Sequence, residues 1–586
     1  MSKLGDVFDW DILRRILSLV SPYKKVFWLT VVLVILLSLL APLRPWLIQY
    51  TVDHPIANGD YDGLLTLTAI MVLTLVLESI FRYAFSYAST WLGQAAVRDL
   101  RQRLFDHLAK MRLKFFDRTP IGTLTTRTVS DVETISEVFS QGLLTIVGDV
   151  LQLVTLLVVM LVTDWKLTLI SLSVLPLLLY STWLFKEKVK SSFQEVRVQV
   201  ARLNAFVQEH ITGMTVVQLF NREEEEAKKF REINGAHNEA NLKSIFYYSV
   251  FFPVVDIITA VSLGLLVWWG AHGALRDELT AGTLIAFILY VNQFFRPIRL
   301  LADKFNSLQM GMVASERVFK LLDTDESLPD TGNYRPEQVA GRIDMAGVWF
   351  AYDDDNYVLR DISFTLAAGQ KLALVGSTGA GKSSIINVLG RFYDYQKGEV
   401  LLDGVSIREY PLDQLRRHIG IILQDVFLFS GTIAENISMK NPEITLAQIK
   451  AMAEYTGISS FIEKLPGQYD YQVNERGYSL SAGQRQLIAF LRAMVYNPAI
   501  LVLDEATSSI DSETEHLLQL ATAKLTEGRT AILIAHRLST IREADQILVI
   551  DQGTIAERGT HQELVRKKGL YRKLYEMQFH EELTQG

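Results

Sequence analysis

Gly376-Ser377-Thr378-Gly379-Ala380-Gly381-Lys382-Ser383 decides the reading of this 586-residue chain. The strand-like run Lys371–Val375 precedes it and helix-forming residues 385–389 follow. Strand, glycine loop and helix form the setting in which a phosphate-binding P-loop works. The chemistry explains the residue types. Glycines let backbone N–H groups approach phosphates, Lys382 neutralises charge on the β- and γ-phosphates, and the Ser383 hydroxyl offers an oxygen to Mg²⁺.

Downstream, residues 499–503 form an apolar strand ending in Asp504-Glu505. Asp504 suits the Mg²⁺ shell, directly or through water, and Glu505 suits a general base or a group that positions the attacking water. Residues 532–535 read as another strand, with His536 at its end to contact the γ-phosphate. From Gly341 onward, β-branched runs alternate with amphipathic stretches, which predicts an α/β domain.

Upstream the composition changes. The whole chain is 49% hydrophobic yet 21% charged, and its uncharged runs lie almost entirely before about residue 310. Six stretches, at 26–50, 64–88, 143–163, 167–186, 247–271 and 281–303, approach or exceed the roughly 20 apolar residues that a membrane helix needs. A net charge of −7 offers no basic surface for nucleic acid. The absence of cysteine excludes disulfides, thiolate metal sites and cysteine nucleophiles. Asp6, Asp9 and Asp11 precede any apolar run, so no removable signal peptide is expected.

Lys24 and Lys25 precede the first span, whereas the 51–63 loop has acids and no Lys or Arg. The positive-inside rule therefore puts the N-terminus in the cytoplasm. Six spans then place the connections at 93–140 and 187–245, and the ATPase half, on the same side. The first connection carries Arg98, Arg101, Arg103, Arg112 and Arg127. Phe115-Phe116-Asp117 through Pro120, Gly122 and Arg127 breaks the helical pattern there, and Ile211-Thr212-Gly213-Met214 does so in the second; both turns read as short docking helices that grip the ATPase half. Trp10, Leu13, Ile16, Leu17 and Val20 recur at helical spacing, as in a helix lying on the membrane surface.

Charges inside spans are costly and usually functional or paired. Glu78 and Arg82, four apart, suit a structural pair on one helix face. Asp149 and Asp256 show no local partner in the sequence, which leaves open a polar translocation path, contact with a cationic substrate, or a bond to a neighbouring helix. Asn292, Gln293, Arg296 and Arg299 flank Pro297, which suggests a kinked helix facing a cavity.

These residues together resemble the ABC transporter family, specifically half-size exporters with a six-helix membrane domain, over nearly the whole chain. Leu480-Ser481-Ala482-Gly483-Gln484 resembles the ABC signature, Gln424 the Q-loop glutamine that senses Mg²⁺ and water, and Tyr352 the aromatic that stacks on adenine. The 508–511 segment resembles the D-loop, His536 the switch histidine, and Glu475-Arg476-Gly477 the segment that touches docking helices. Phe116-Asp117 and Gly122 match the exporter pattern.

The resemblance implies an all-α six-helix transmembrane domain followed by an α/β P-loop NTPase domain, using ATP and Mg²⁺. Its implied boundaries are a cytoplasmic segment with an interfacial helix at 1–25, a transmembrane domain at 26–310, a linker at 311–340, an ATP-binding domain at 341–577 and a tail at 578–586. Catalysis falls to Glu505, His536 and Gln424, and the metal to Ser383, Gln424 and Asp504. Nucleotide contacts fall to Tyr352, Gly376, Ser377, Thr378, Gly379, Ala380, Gly381, Lys382, Ser383, Ser384, Ser481, Ala482, Gly483, Gln484 and Asp511. The family sandwiches ATP between one subunit's P-loop and the other's signature, so a second half-transporter is implied, with the bilayer and a small amphiphile as further partners. The implied location is a bacterial inner membrane.

Two departures stand out: Ala482 where the family usually has Gly, and Leu487 where Arg is common. With Glu505 intact, the combination resembles one partner of heterodimeric exporters; a homodimer that tolerates the alanine is the alternative. Three other classes fit less well. The six spans oppose a soluble ABC ATPase of DNA repair or translation, Glu505 opposes an ATP-gated channel, and fusion of both halves in one chain opposes an importer.

Overall fold

The computed structural model describes residues 9–276, 278–353, 356–504, 512–534 and 541–584. The chain divides into two compact units, one from residues 1–109 and 121–325 and the other from 110–120 and 326–586.

Among the described residues, six helices of the first unit are long and apolar enough to cross a membrane: Ser21–Ile56, Tyr61–Leu108, Ile121–Thr163, Trp165–Thr212, Glu223–Ala274 and Ala281–Ile298. Protein covers none of the most apolar window of the second and only 56% of that of the sixth. Helices buried in a soluble core would have those windows covered, so the uncovered faces suit lipid. Side chains start several of them. Asp60 accepts from Gly63 N at 2.9 Å, Asp164 from Leu167 N at 2.9 Å, and Thr280 from Thr283 N at 3.1 Å. Tyr61–Leu108 has 48 residues. At the helical rise this is about 70 Å, more than twice the roughly 30 Å hydrocarbon core, so the helix projects well beyond a bilayer.

Asp9 caps the N-terminal helix Trp10–Leu19, which buries Leu13 and Ile16. Arg15 reaches Asp323 at 2.7 Å and lies over the Phe319 ring, pinning this helix to the end of the sixth span's helix. The hydrogen bond to Arg15 holds the Asp323 carboxyl below the usual carboxylate range.

The helix begun at Ala281 runs on to Asp323 with Pro297 in its interior, through the first part of the region read as a linker. Leu308, Met312, Ser315, Val318 and Phe319 are buried along it at helical spacing, so packing continues after the sequence has stopped being apolar enough to span a membrane. Irregular chain begins only at Thr324.

Of the charges read within the spans, Glu78, Arg82 and Asp149 are paired. Arg82 meets Glu78 at 2.6 Å along one helix face. Asp149, without a partner in its own stretch of sequence, is met by Lys304 of the sixth helix.

Among its described residues the second unit holds twelve strands: β1 (Ile343–Ala351), β2 (Tyr357–Leu366), β3 (Lys371–Val375), β4 (Lys397–Leu402), β5 (Val405–Ser406), β6 (Ile419–Ile422), β7 (Gly431–Thr432), β8 (Gln472–Val473), β9 (Ile500–Asp504), β10 (Thr530–Ile534), β11 (Gln546–Asp551) and β12 (Thr554–Gly559). An antiparallel sheet has the order β2-β1-β4-β5, and a six-stranded sheet the order β12-β11-β3-β10-β9-β6. In the latter, β11, β3, β10, β9 and β6 are parallel, so their carboxyl ends share one edge. That edge is where ligands bind in open parallel sheets. Among the described residues, two of this unit's cores matter for the site. One holds the P-loop helix Lys382–Leu389 between the sheets, through Ile385, Ile386, Val388 and Leu389. The other holds the helix Ala482–Tyr496, through Leu487, Ile488 and Leu491.

Candidate nucleotide site

β3 delivers the chain into the loop at the shared carboxyl edge. Gly379 and Gly381 take φ of +83° and +110°, the left-handed region in which a side chain is strained. A Cβ on Gly376 would stand 2.2 Å from the Ile550 carbonyl oxygen of β11, so only glycine allows that approach. Ser377, Thr378 and Ala380 complete the loop, with Ala380 in the first core. Lys382 is largely buried and donates to the carbonyls of Gly376 at 2.8 Å and Ser377 at 2.9 Å, which fixes the ammonium across the loop. Burial pushes this ammonium below the ordinary lysine range, while Asp504 opposes the shift.

The register pairs Ile534 with both Leu374 and Asp504, and Ile422 with Leu503. The loop, Asp504 and the segment carrying Gln424 therefore leave β3, β9 and β6 at the same edge of the sheet. Ser383 Oγ lies 3.5 Å from Asp504 Oδ2. Two hard oxygens this close fit a Mg²⁺ that takes one or two protein ligands and completes its shell with phosphate and water. Gln424 is exposed two residues beyond β6. Glu505, the 508–511 segment with Asp511, and His536 lie outside the described residues.

Tyr352 is half-buried and held through both its hydroxyl and its ring. Its hydroxyl accepts from Asn387 Nδ2 at 2.9 Å and shares a 3.1 Å hydrogen bond with Ser384 Oγ, both on the P-loop helix. Its ring meets Phe350 and Tyr393 edge to face, with centroids 4.7 and 4.9 Å apart. Asn387 and Tyr393 carry no motif signal, so sequence reading missed them. Burial pushes the Tyr393 phenol well above its ordinary range, and the hydroxyl donates to Asp117 of the short helix Leu113–Arg118. Arg118 of that helix pairs with Asp353, next to Tyr352. The segment 110–120, read from sequence as a docking turn, thus belongs to the compact unit that carries the P-loop.

Ser481 caps the helix Ala482–Tyr496 through a capping box. Its Oγ accepts from Gln484 N at 3.2 Å, and Gln484 Oε1 accepts from Ser481 N at 3.0 Å. Gln484 therefore has a structural role beside any ligand contact. Ala482 is exposed at the first turn and Gly483 is buried. Leu487 is completely buried in the second core, which accounts for leucine where arginine would leave a charge without water. Nearby, Arg476 takes φ +58°, and Arg485 Nη1 donates to the Leu480 carbonyl at 2.8 Å, fixing the turn that leads into the signature.

The second connection turns through another short helix, Met214–Leu219, whose Val216 and Leu219 are exposed along with Phe220. Beside it, both nitrogens of His210 face acceptors: Nδ1 the Phe206 carbonyl and Nε2 the Glu226 carboxylate, each at 2.8 Å. Only an imidazolium satisfies both. The Glu226 hydrogen bond accordingly raises the His210 pKa, and bonds from Lys229 and His210 lower that of Glu226.

Residues 27–298 match the family described as ABC transporter transmembrane region, and residues 359–508 that described as ABC transporter. The chain is 36% identical to "Uncharacterized ABC transporter ATP-binding protein YknV" of Bacillus subtilis, over 98% of this chain and 95% of that protein. It is 37% identical to "Probable multidrug resistance ABC transporter ATP-binding/permease protein YheH" of the same organism, over 89% and 77% of the two chains. It is 32% identical to "ATP-dependent lipid A-core flippase" of Vibrio cholerae, over 99% of this chain and all of that protein.

Proposed function

Because this chain belongs to the ABC transporter family, as a half-size exporter and an ATP hydrolase coupled to transport, we propose that it pairs with a second half-transporter to move an amphiphile outward across a bacterial inner membrane. ATP binds between the two ATPase halves, which lie in the cytoplasm with the N-terminus. The observation that carries this reading is the union, in one chain, of six membrane-length helices with a P-loop whose Ser383 stands 3.5 Å from Asp504.

In the proposed site Tyr352 stacks on adenine, and the backbone N–H groups from Gly376 to Ser384 cradle the triphosphate. Ser383, Asp504 and Gln424 would hold Mg²⁺, which neutralises phosphate charge when bound. Lys382 bears on the β- and γ-phosphates. Glu505 takes the proton of the attacking water, and His536 contacts the γ-phosphate. Ser481, Ala482, Gly483 and Gln484 close the site from the other subunit, where the helix dipole at Ser481 favours an anion. Asp511 lies along the same interface.

Closure of this sandwich draws the docking helices together and favours an outward-open cavity; hydrolysis releases it. The shift needs only that ATP bind the closed state more tightly than the open one. Val216, Leu219 and Phe220 offer the second docking helix an apolar contact surface for the partner's ATPase half. The names of the multidrug and lipid A-core relatives support an amphiphilic drug, lipid or peptide as cargo.

Ala482 and Leu487 favour a second reading, in which this chain is the catalytic partner of a heterodimer. ATPase activity of the purified chain in proteoliposomes, screened with amphiphiles and with candidate partner chains, decides between them. Activity of the chain alone that rises with its own concentration supports the homodimer. Activity that appears only on adding another half-transporter supports the heterodimer, and turnover by a strict monomer would remove the shared-site reading altogether.

A further inference from the structure

The side chains around Tyr352 form a continuous path out of the nucleotide site. Ser384 and Asn387 of the P-loop helix fix its hydroxyl, Tyr393 meets its ring at 4.9 Å and 85°, and the Tyr393 hydroxyl ends on the Asp117 carboxylate of the helix Leu113–Arg118. A second strap runs beside the first, from Arg118 to Asp353. All these residues belong to one compact unit, although Asp117 and Tyr393 are 276 positions apart in the chain. Tyr393 is nearly buried and its ring also meets Phe350, so it has little freedom to move independently of either end.

We propose that Tyr393 is a positioning residue that joins the base-holding Tyr352 to the docking helix Leu113–Arg118, so that this helix responds to the nucleobase as well as to the phosphates. The inference rests on the reading of Tyr352 as the ring that stacks on adenine. Linkage makes it reciprocal: if the base sets the docking helix, a change in the docking helix must alter affinity for the base. Asp117 therefore affects ATP binding through its hydrogen bond with Tyr393 rather than through the P-loop itself.

The test compares ATP with inorganic tripolyphosphate, which carries the phosphates without a base. Each competes with a fluorescent ATP analogue for the full-length protein in detergent. Tyr393→Phe keeps the ring and its packing and removes only the hydroxyl; Asp117→Ala removes the acceptor. Each is expected to weaken ATP about fivefold, the loss appropriate to one hydrogen bond, and to leave tripolyphosphate unchanged. The double variant should be no weaker than either single variant, and Asp117→Asn, which keeps an acceptor oxygen, should bind ATP as the parent does. Equal weakening of both ligands, additive losses, or unchanged ATP affinity in both single variants would overturn the proposal. Tyr352→Ala separates the premises. If it leaves ATP affinity unchanged, the stacking reading fails; if it selectively weakens ATP while Tyr393→Phe does not, the connection to the docking helix fails alone.

Discussion

Replacing Asp149 by leucine should strand the Lys304 ammonium. The two side chains are 18% and 23% exposed, so most of the water that would solvate a lone charge is already displaced. Breaking such a pair from one side costs 3–5 kcal/mol when fully buried, and the residual exposure puts this one at about 3 kcal/mol, the lower end. That corresponds to roughly a 150-fold shift in the folding equilibrium. Lys304→Met should cost a similar amount by leaving the carboxylate alone. The double variant Asp149→Leu/Lys304→Met removes both charges and should lie within about 1 kcal/mol of the parent, because a matched apolar pair replaces an ion pair at little cost. The cycle is read from loss of helical signal as SDS is titrated into protein held in mild detergent. Single variants as stable as the parent, or a double variant as unstable as the sum of the singles, would refute the argument. If cationic and neutral cargo are transported equally by Asp149→Asn, the carboxylate serves helix packing. Selective loss of cations would assign it to the cargo path.

Glu505→Gln should retain ATP binding and lower steady-state hydrolysis by at least about a hundredfold, the usual range for a general base; undiminished turnover would reject the role. Lys382→Ala should weaken nucleotide binding in an equilibrium filter assay, and unchanged affinity would count against the P-loop assignment. The His210–Glu226 contact should hold the second docking turn most firmly near and below neutral pH. The folded pKa of His210 is raised, so its stabilisation is complete below the unfolded value of about 6.5 and fades as pH climbs through the higher folded value. Glu226, with a lowered pKa, supports the contact until strongly acidic pH protonates it. Amide exchange across 213–222, corrected for intrinsic rates, should therefore quicken as pH rises above the unfolded value, and His210→Gln should remove that dependence. An identical profile in the variant would dismiss the latch.

What could be read from sequence was what neighbouring residues encode together. The phosphate loop is one run from Gly376 to Ser383 whose glycines, lysine and serine each answer a local demand, and the six spans announce themselves by hydropathy. Contacts between distant positions were hidden. Lys304 lies 155 residues from Asp149 and has an unremarkable context, so only the fold reveals the pair. The same holds for Asn387 and Tyr393 around Tyr352. The sixth helix runs on past the span read at 281–303 for a different reason: apolar content falls there, but Leu308, Met312, Ser315, Val318 and Phe319 keep the helical period. A threshold on hydropathy stops where the lipid stops, whereas the backbone continues as long as one stripe is buried.

Eleven residues, 110–120, separate the chain's linear order from its folding units. A gene fragment starting at residue 326 would encode every nucleotide motif yet lack a piece of the body those motifs stand on. Phe115, only 6% exposed in the intact protein, would be missing from such a product, as would the acceptor for Tyr393 and the cation beside Asp353. Soluble expression of the catalytic half alone is therefore expected to give a loosened, sticky protein. Supplying 110–120 as a tethered peptide at the new amino terminus is the remedy the architecture prescribes.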